Sequence, residues 1–205
     1  MTYRRDPKAA LQERIQRARE ALVWKTEGLS ERELRMPRTV TGTNLLGLVK
    51  HCIAVDVGYL GYTFDRPWPA MEEEIPWLRS WLDPSVTEIL EEDLFAKADE
   101  PAAALIDLYR RAWAHGDATI AALDLDAPGR VPWWPEERAD VDLHYVLAHV
   151  VAELQRHAGH ADILREGIDG LAGVGKVHTN LWTEVDDRPA HVARLREIAE
   201  LFPAD

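Results

Sequence analysis

Three imidazoles and a carboxylate recur along one stretch of this chain. In DLHYVLAHVVAELQRHAGHADILRE (residues 142–166), His149, Glu153 and His157 follow one another at four-residue intervals, and His160 comes next. On a helical wheel of about 100° per residue these four fall within about 80° of arc. Val146, Val150 and Leu164 share or border that arc, so the helix turns its ionisable groups toward an apolar interior. Burying such groups is costly unless they are paired or bound to a metal. An i, i+4 pair lets two side chains of one helix reach a single ion, the geometry used by zinc-binding helices and bundle metalloproteins. His51, on an otherwise apolar helix with Leu48, Val55 and Tyr62 on its face, is the candidate third ligand. The expected metal set is therefore His51, Glu153 and His157. Three ligands from two facing helices leave positions open for water or substrate, as a catalytic site does. Two imidazoles and one carboxylate suit Zn²⁺ or Ni²⁺ better than Mg²⁺. His149 and His160 are the expected proton carriers, or stand-ins for one of the three ligands.

Plainer readings compete. A lone histidine on an apolar helix can be a satisfied core group, and Glu153 with His157 can be a surface pair. His144 points away from the cluster. His115, His178 and His191 lack partners at helical spacing and read as surface. Cys52 points about 100° away from His51 and reads as a small buried hydrophobe.

The elements that must position these groups are helices separated by proline-rich connections. A first helix is expected from about Pro7 to Trp24, with Leu11, Ile15, Ala18 and Leu22 as its apolar stripe. Ser30 and Glu33 form a capping-box pattern that starts a short turn. A second helix follows Thr43, its expected N-cap, and runs to about Thr63. It is apolar nearly all round and so central. Residues 66–84 form a long connection holding Trp68, Trp77 and Trp81, of the kind that often serves as a lid. A short helix is expected from Val86. A third main helix starts near Asp99–Pro101 and runs to about Leu123, with Ala104, Leu108, Ala112 and Ile120 on its apolar face. Residues 126–138 carry Trp133–Trp134, a candidate aromatic wall beside the fourth helix. That helix spans about Asp142 to Glu166 and is expected to stop at Gly167. A final short helix lies near Pro189–Leu201. The fold expected is an all-α four-helix bundle over residues 1–170. Residues 171–205 form a C-terminal extension packing on the same domain. No significant sheet is expected.

Composition narrows the function. The formal net charge of −12 does not suit sequence-independent binding to nucleic-acid phosphates or to an anionic membrane surface. The single cysteine permits no internal disulfide and fits a cytoplasmic location. The N-terminus has no apolar core of a secretory signal, and no run of about 18 apolar residues reads as a membrane span. GVGK at Gly173–Lys176 lacks the rest of a phosphate-binding loop, and no Gly-x-Ser-x-Gly elbow exists.

TGTNLLGLVKHC (residues 41–52) and ELQRHAGHADILRE (residues 153–166) resemble the second- and fourth-helix signatures of the DinB/YfiT-like superfamily. The closest branch is the one near the mycothiol-dependent maleylpyruvate isomerases. The resemblance covers about residues 8–170. It implies a four-helix bundle with one histidine ligand from the second helix and two ligands one turn apart on the fourth. Glu153 stands where the common superfamily pattern has histidine, as in the isomerase branch. The resemblance further implies a divalent metal and a low-molecular-weight thiol such as mycothiol, used in S-transfer to, or isomerisation of, a small electrophilic substrate. A metal-dependent hydrolase and a non-catalytic stress-response module are the alternatives. A homodimer through the apolar second helix or the C-terminal helix is a further expectation.

Overall fold

A computed structural model describes residues 6–83, 85–86, 91–176, 179–181 and 187–202. Four long helices make the bundle. α1 (Pro7–Trp24) is opened by Asp6, whose carboxylate accepts from the Lys8 and Ala9 amides, with Pro7 in the first turn. α2 (Glu31–Arg35) is one short turn in which both halves of the Ser30–Glu33 capping box form. α3 (Leu45–Leu60) is the core helix, packed against the third and fourth long helices. Its N-cap is Asn44, whose side chain accepts from the Gly47 amide at 2.8 Å. Thr43, the expected cap, sits one residue earlier, its hydroxyl beside that of Thr41.

Every residue of α3 is buried except His51. The stretch Leu45–Phe64 is apolar and long enough to cross a bilayer by composition, contrary to the expectation that no such run exists. Yet 89% of that window lies inside the bundle, which is the signature of a core helix.

The connection after α3 is not an open loop. A 3₁₀ turn (Tyr62–Phe64), α4 (Met71–Glu74), a second 3₁₀ turn (Pro76–Leu78) and α5 (Arg79–Leu82) follow in sequence. They bury Trp68 and Trp77 and leave Trp81 half-buried. The short helix expected from Val86 falls on residues 87–90, outside the described residues; a 3₁₀ turn at Glu92–Leu94 follows. α6 (Ala102–Ala122) buries Leu105, Leu108, Tyr109, Ala112, Gly116 and Ile120. Ala104 is exposed, because the buried face of α6 runs through its neighbour Leu105. At Gly116 a Cβ would fall 2.9 Å from Leu60 Cδ1, so glycine is what lets α6 lie this close to α3.

Between α6 and the last bundle helix lies a short antiparallel hairpin. β1 (Pro128–Arg130) and β2 (Asp140–Asp142) pair with Gly129 opposite Val141, and α7 (Glu136–Ala139) sits within their connection. α8 (Leu143–Asp169) is capped by Asp142, whose side chain accepts from the Tyr145 amide. It passes through Gly167, the expected stop, and ends at Gly170, whose φ of +79° provides the left-handed cap. α9 (Arg188–Ala199) buries none of its residues and exposes Val192, Leu195 and Ile198.

Candidate metal site

α8 carries Glu153 and His157 one turn apart on the side that faces α3, and α3 presents its one incompletely buried residue, His51, to them. One ligand atom from each of His51, Glu153 and His157 can be chosen so that all three lie within 4.8 Å of one another. The His51 and His157 rings meet edge to face with centroids 4.6 Å apart. His157 Nε2 lies 3.5 Å from Glu153 Oε2. The expected three ligands are thus brought together from two helices.

Among the described residues, the polar atoms of this cluster are only partly satisfied. Neither buried ring nitrogen of His157 has a hydrogen-bond partner among them. A buried polar atom without a partner costs about 1–3 kcal/mol, so two on one ring call for a ligand. Burial lowers the His157 pKa to about 4; His51 and His160 push the same way, while Glu153 opposes them. The imidazole is therefore neutral at neutral pH, the form whose lone pair binds a metal. Two imidazoles and a carboxylate with two orphaned nitrogens fit a divalent cation.

The two expected proton carriers flank the cluster on α8. His160 is exposed, its ring centroid 5.7 Å from that of His157. His149 is half-buried between aromatic rings, 4.6 Å from Tyr59 and 5.2 Å from Trp134, and its Nε2 has no partner. Burial lowers its pKa, with the Glu153 charge opposing.

Of the site's other members, sequence reasoning missed Asp93 and Tyr59, and placed Trp81 only in a connection read as a lid. Asp93, on the 3₁₀ turn before α6, accepts a hydrogen bond from His51 Nδ1 at 2.7 Å. Trp81, from the long connection, stands 5.7 Å from the His51 ring and 5.4 Å from Trp133. Tyr59, two turns along α3, accepts from the indole N–H groups of both Trp133 and Trp134 at 3.4 and 3.3 Å. The tryptophan pair thus joins an aromatic cluster that touches His51 through Trp81 and His149 through Trp134. No periodic pattern marks Asp93, because its contact spans 42 residues and sits in an acidic run.

The remaining expectations sort simply. Cys52 is fully buried, and burial raises its thiol pKa well above the ordinary value, so it supplies no thiolate. His144 and His191 are exposed. His115 is not a free surface group: its Nε2 hydrogen-bonds the Arg66 carbonyl at 2.8 Å and its ring packs on Trp68. His178 lies outside the described residues.

Comparison with known proteins supports a family assignment. The family model described as mycothiol-S-transferase matches residues 10–170, which span the bundle apart from the first turn of α1 and include every residue of the site. No curated protein matches the chain significantly.

Proposed function

The chain belongs to the mycothiol-S-transferase family, and from that premise we propose that it transfers the sulfur of a mycothiol-type thiol to a small electrophile at a divalent-metal site. His51, Glu153 and His157 are the proposed ligands. The observation that carries the reading is their convergence around two buried, unpartnered nitrogens of His157.

A bound divalent cation would lower the pKa of a thiol placed beside it, so that thiolate, the attacking species, is present at neutral pH. Around it, this chain's own groups have defined tasks. His160, exposed beside His157, accepts the proton released from the thiol on a ring nitrogen and returns it to solvent. His149 is neutral and more deeply set, and offers Nε2 as a hydrogen-bonding atom to the bound substrate. Trp81, Trp133 and Trp134 present ring faces that exclude water and receive the apolar part of the electrophile. A cytoplasmic location and the C-terminal helix as a dimer surface belong to the same proposal.

Elemental mass spectrometry on the untagged protein, beside His51→Ala and His157→Ala, is the first test. About one equivalent of Zn²⁺ or Ni²⁺ per chain, lost in both variants with helical content intact, is expected. Consumption of mycothiol by an alkylating electrophile should then be abolished by chelation and restored by metal. Hydrolysis of the electrophile at the same rate with and without thiol would replace the transferase reading with a hydrolase. Absent metal in the native protein would end both.

A further inference from the structure

The segment from the 3₁₀ turn at Glu92–Leu94 to the start of α6 buries neither of its large apolar side chains: Leu94 and Phe95 are each 46% exposed. It is nevertheless held from three directions. Arg35 of α2 donates to the carbonyls of Ala96, Lys97 and Glu100 at 3.1, 2.7 and 2.6 Å. Lys50 of α3, fully buried, donates to the Phe95 carbonyl at 3.2 Å and to both Glu100 carboxylate oxygens at 2.9 and 2.8 Å, while lying over the Trp77 ring. At Gly47 any Cβ would collide with the Leu94 carbonyl oxygen, so the segment rests directly on the α3 backbone. One helical turn beyond Gly47 comes His51, and there the segment delivers Asp93.

We propose that Asp93 is a positioning residue for the metal site, and that this strap exists to hold its carboxylate on His51 Nδ1. The proposal rests on the metal-site reading. The chemistry is narrow. The Asp93 side chain is 7% exposed and 2.7 Å from His51 Nδ1. An ionised carboxylate only accepts, so Nδ1 carries the hydrogen. In the neutral ring the lone pair is then on Nε2, on the far side of the imidazole from Asp93. Metal-binding histidines are oriented and made more basic in this way, and loss of the outer carboxylate weakens metal binding about 10- to 100-fold. His157 has no such partner on either nitrogen, so Asp93 gives the otherwise adjustable site one fixed ligand. Lys50 and Gly47 act at one remove, by fixing the strap.

The test compares native protein, Asp93→Ala and Asp93→Asn. Zn²⁺ affinity is read by competition with a chromophoric chelator. The His51 tautomer is read by ¹⁵N NMR of the metal-free proteins, and thermal unfolding of the metal-free forms checks the fold. Asp93→Ala should bind Zn²⁺ about 10- to 100-fold more weakly and show a mixture of His51 tautomers, with helical content unchanged. Asp93→Asn retains an accepting oxygen, so it should keep the Nδ1–H tautomer and recover part of the affinity. Native affinity within twofold in Asp93→Ala overturns the proposal while leaving the metal site standing, as does an unaltered His51 tautomer. Failure of the native protein to bind Zn²⁺ overturns both.

Discussion

Two of the buried polar clusters on α3 lie on different sides of it, and they are finished differently. Toward α1 and α6, Asp56 receives Arg19 through two hydrogen bonds, at 3.2 and 2.6 Å, and the remaining Arg19 terminal nitrogen reaches Asp117 at 2.9 Å. Arg19 and Asp56 are wholly inaccessible, and the chain answers their charges itself. Toward α8, His51 is answered by Asp93, but His157 is left with two unpartnered nitrogens and Glu153 with an oxygen 3.5 Å away. The same helix bears the desolvation cost twice. One cluster is closed and holds three helices in register. The other is open: among the described residues nothing hydrogen-bonds the His157 ring nitrogens. Buried charge alone therefore does not mark a functional site, since the Arg19–Asp56 pair is complete within the chain.

The largest effect expected from breaking this contrast lies in the closed cluster. Asp56→Ala leaves the Arg19 guanidinium buried with only Asp117, at the edge of the bundle, to answer it. Loss of one partner of a buried pair costs about 3–5 kcal/mol. Chemical denaturation should show that loss, while Zn²⁺ affinity measured at low temperature stays native. Replacing both partners, as Arg19→Met with Asp56→Leu, should recover most of the stability. If the double variant is as unstable as the single one, the pair contributes more than mutual neutralisation.

The open cluster should respond to metal instead. At a free Zn²⁺ concentration of 100 times Kd, binding to the native state adds about 2.7 kcal/mol. Thermal unfolding of the native protein should rise accordingly, with no rise for His157→Ala. Asp56→Ala should keep a metal-dependent increment of similar size, which would separate the two clusters. An equal rise in His157→Ala would place the metal elsewhere.

A smaller effect is expected from pH. In the metal-free fold the His157 pKa is lowered from 6.5 to about 4. The unfolded chain therefore binds more protons between those values, and stability falls as pH drops through that window. The neutral ring's contribution is fully present above about pH 6.5 and lost below about pH 4, for a total of about 3 kcal/mol. Urea midpoints of the metal-free protein across that window should show the slope, and His157→Phe should reduce it, leaving the share that half-buried His149 contributes.

How much of this was legible beforehand depends on what carries each signal. The four long helices and the His51, Glu153 and His157 positions were readable because periodicity reports a face, and a face implies neighbours. The N-cap of α3 was missed by one residue because Thr43 and Asn44 are both capping types. The hairpin was invisible because two three-residue strands carry no alternation, and Pro128 argues against one of them. Asp93 was missed because a contact across 42 residues depends on where Arg35, Lys50 and Gly47 pin the strap, and no local pattern encodes that.

The two glycines at the end of α8 supply the finest test, because both lie beyond the two clusters and neither would give its new Cβ a neighbour within 4 Å. Any effect of adding a methyl there is therefore a backbone effect. Gly167 is helical, so Gly167→Ala should stabilise the protein by about 0.5–1 kcal/mol. Gly170 holds a φ of +79°, a conformation that disfavours any Cβ, so Gly170→Ala should destabilise it by about 1 kcal/mol. Neither change should move Zn²⁺ affinity. If Gly167→Ala weakens metal binding, α8 does not act as a rigid carrier of Glu153 and His157. The open cluster would then owe its geometry to the far end of its helix as well as to the strap on α3.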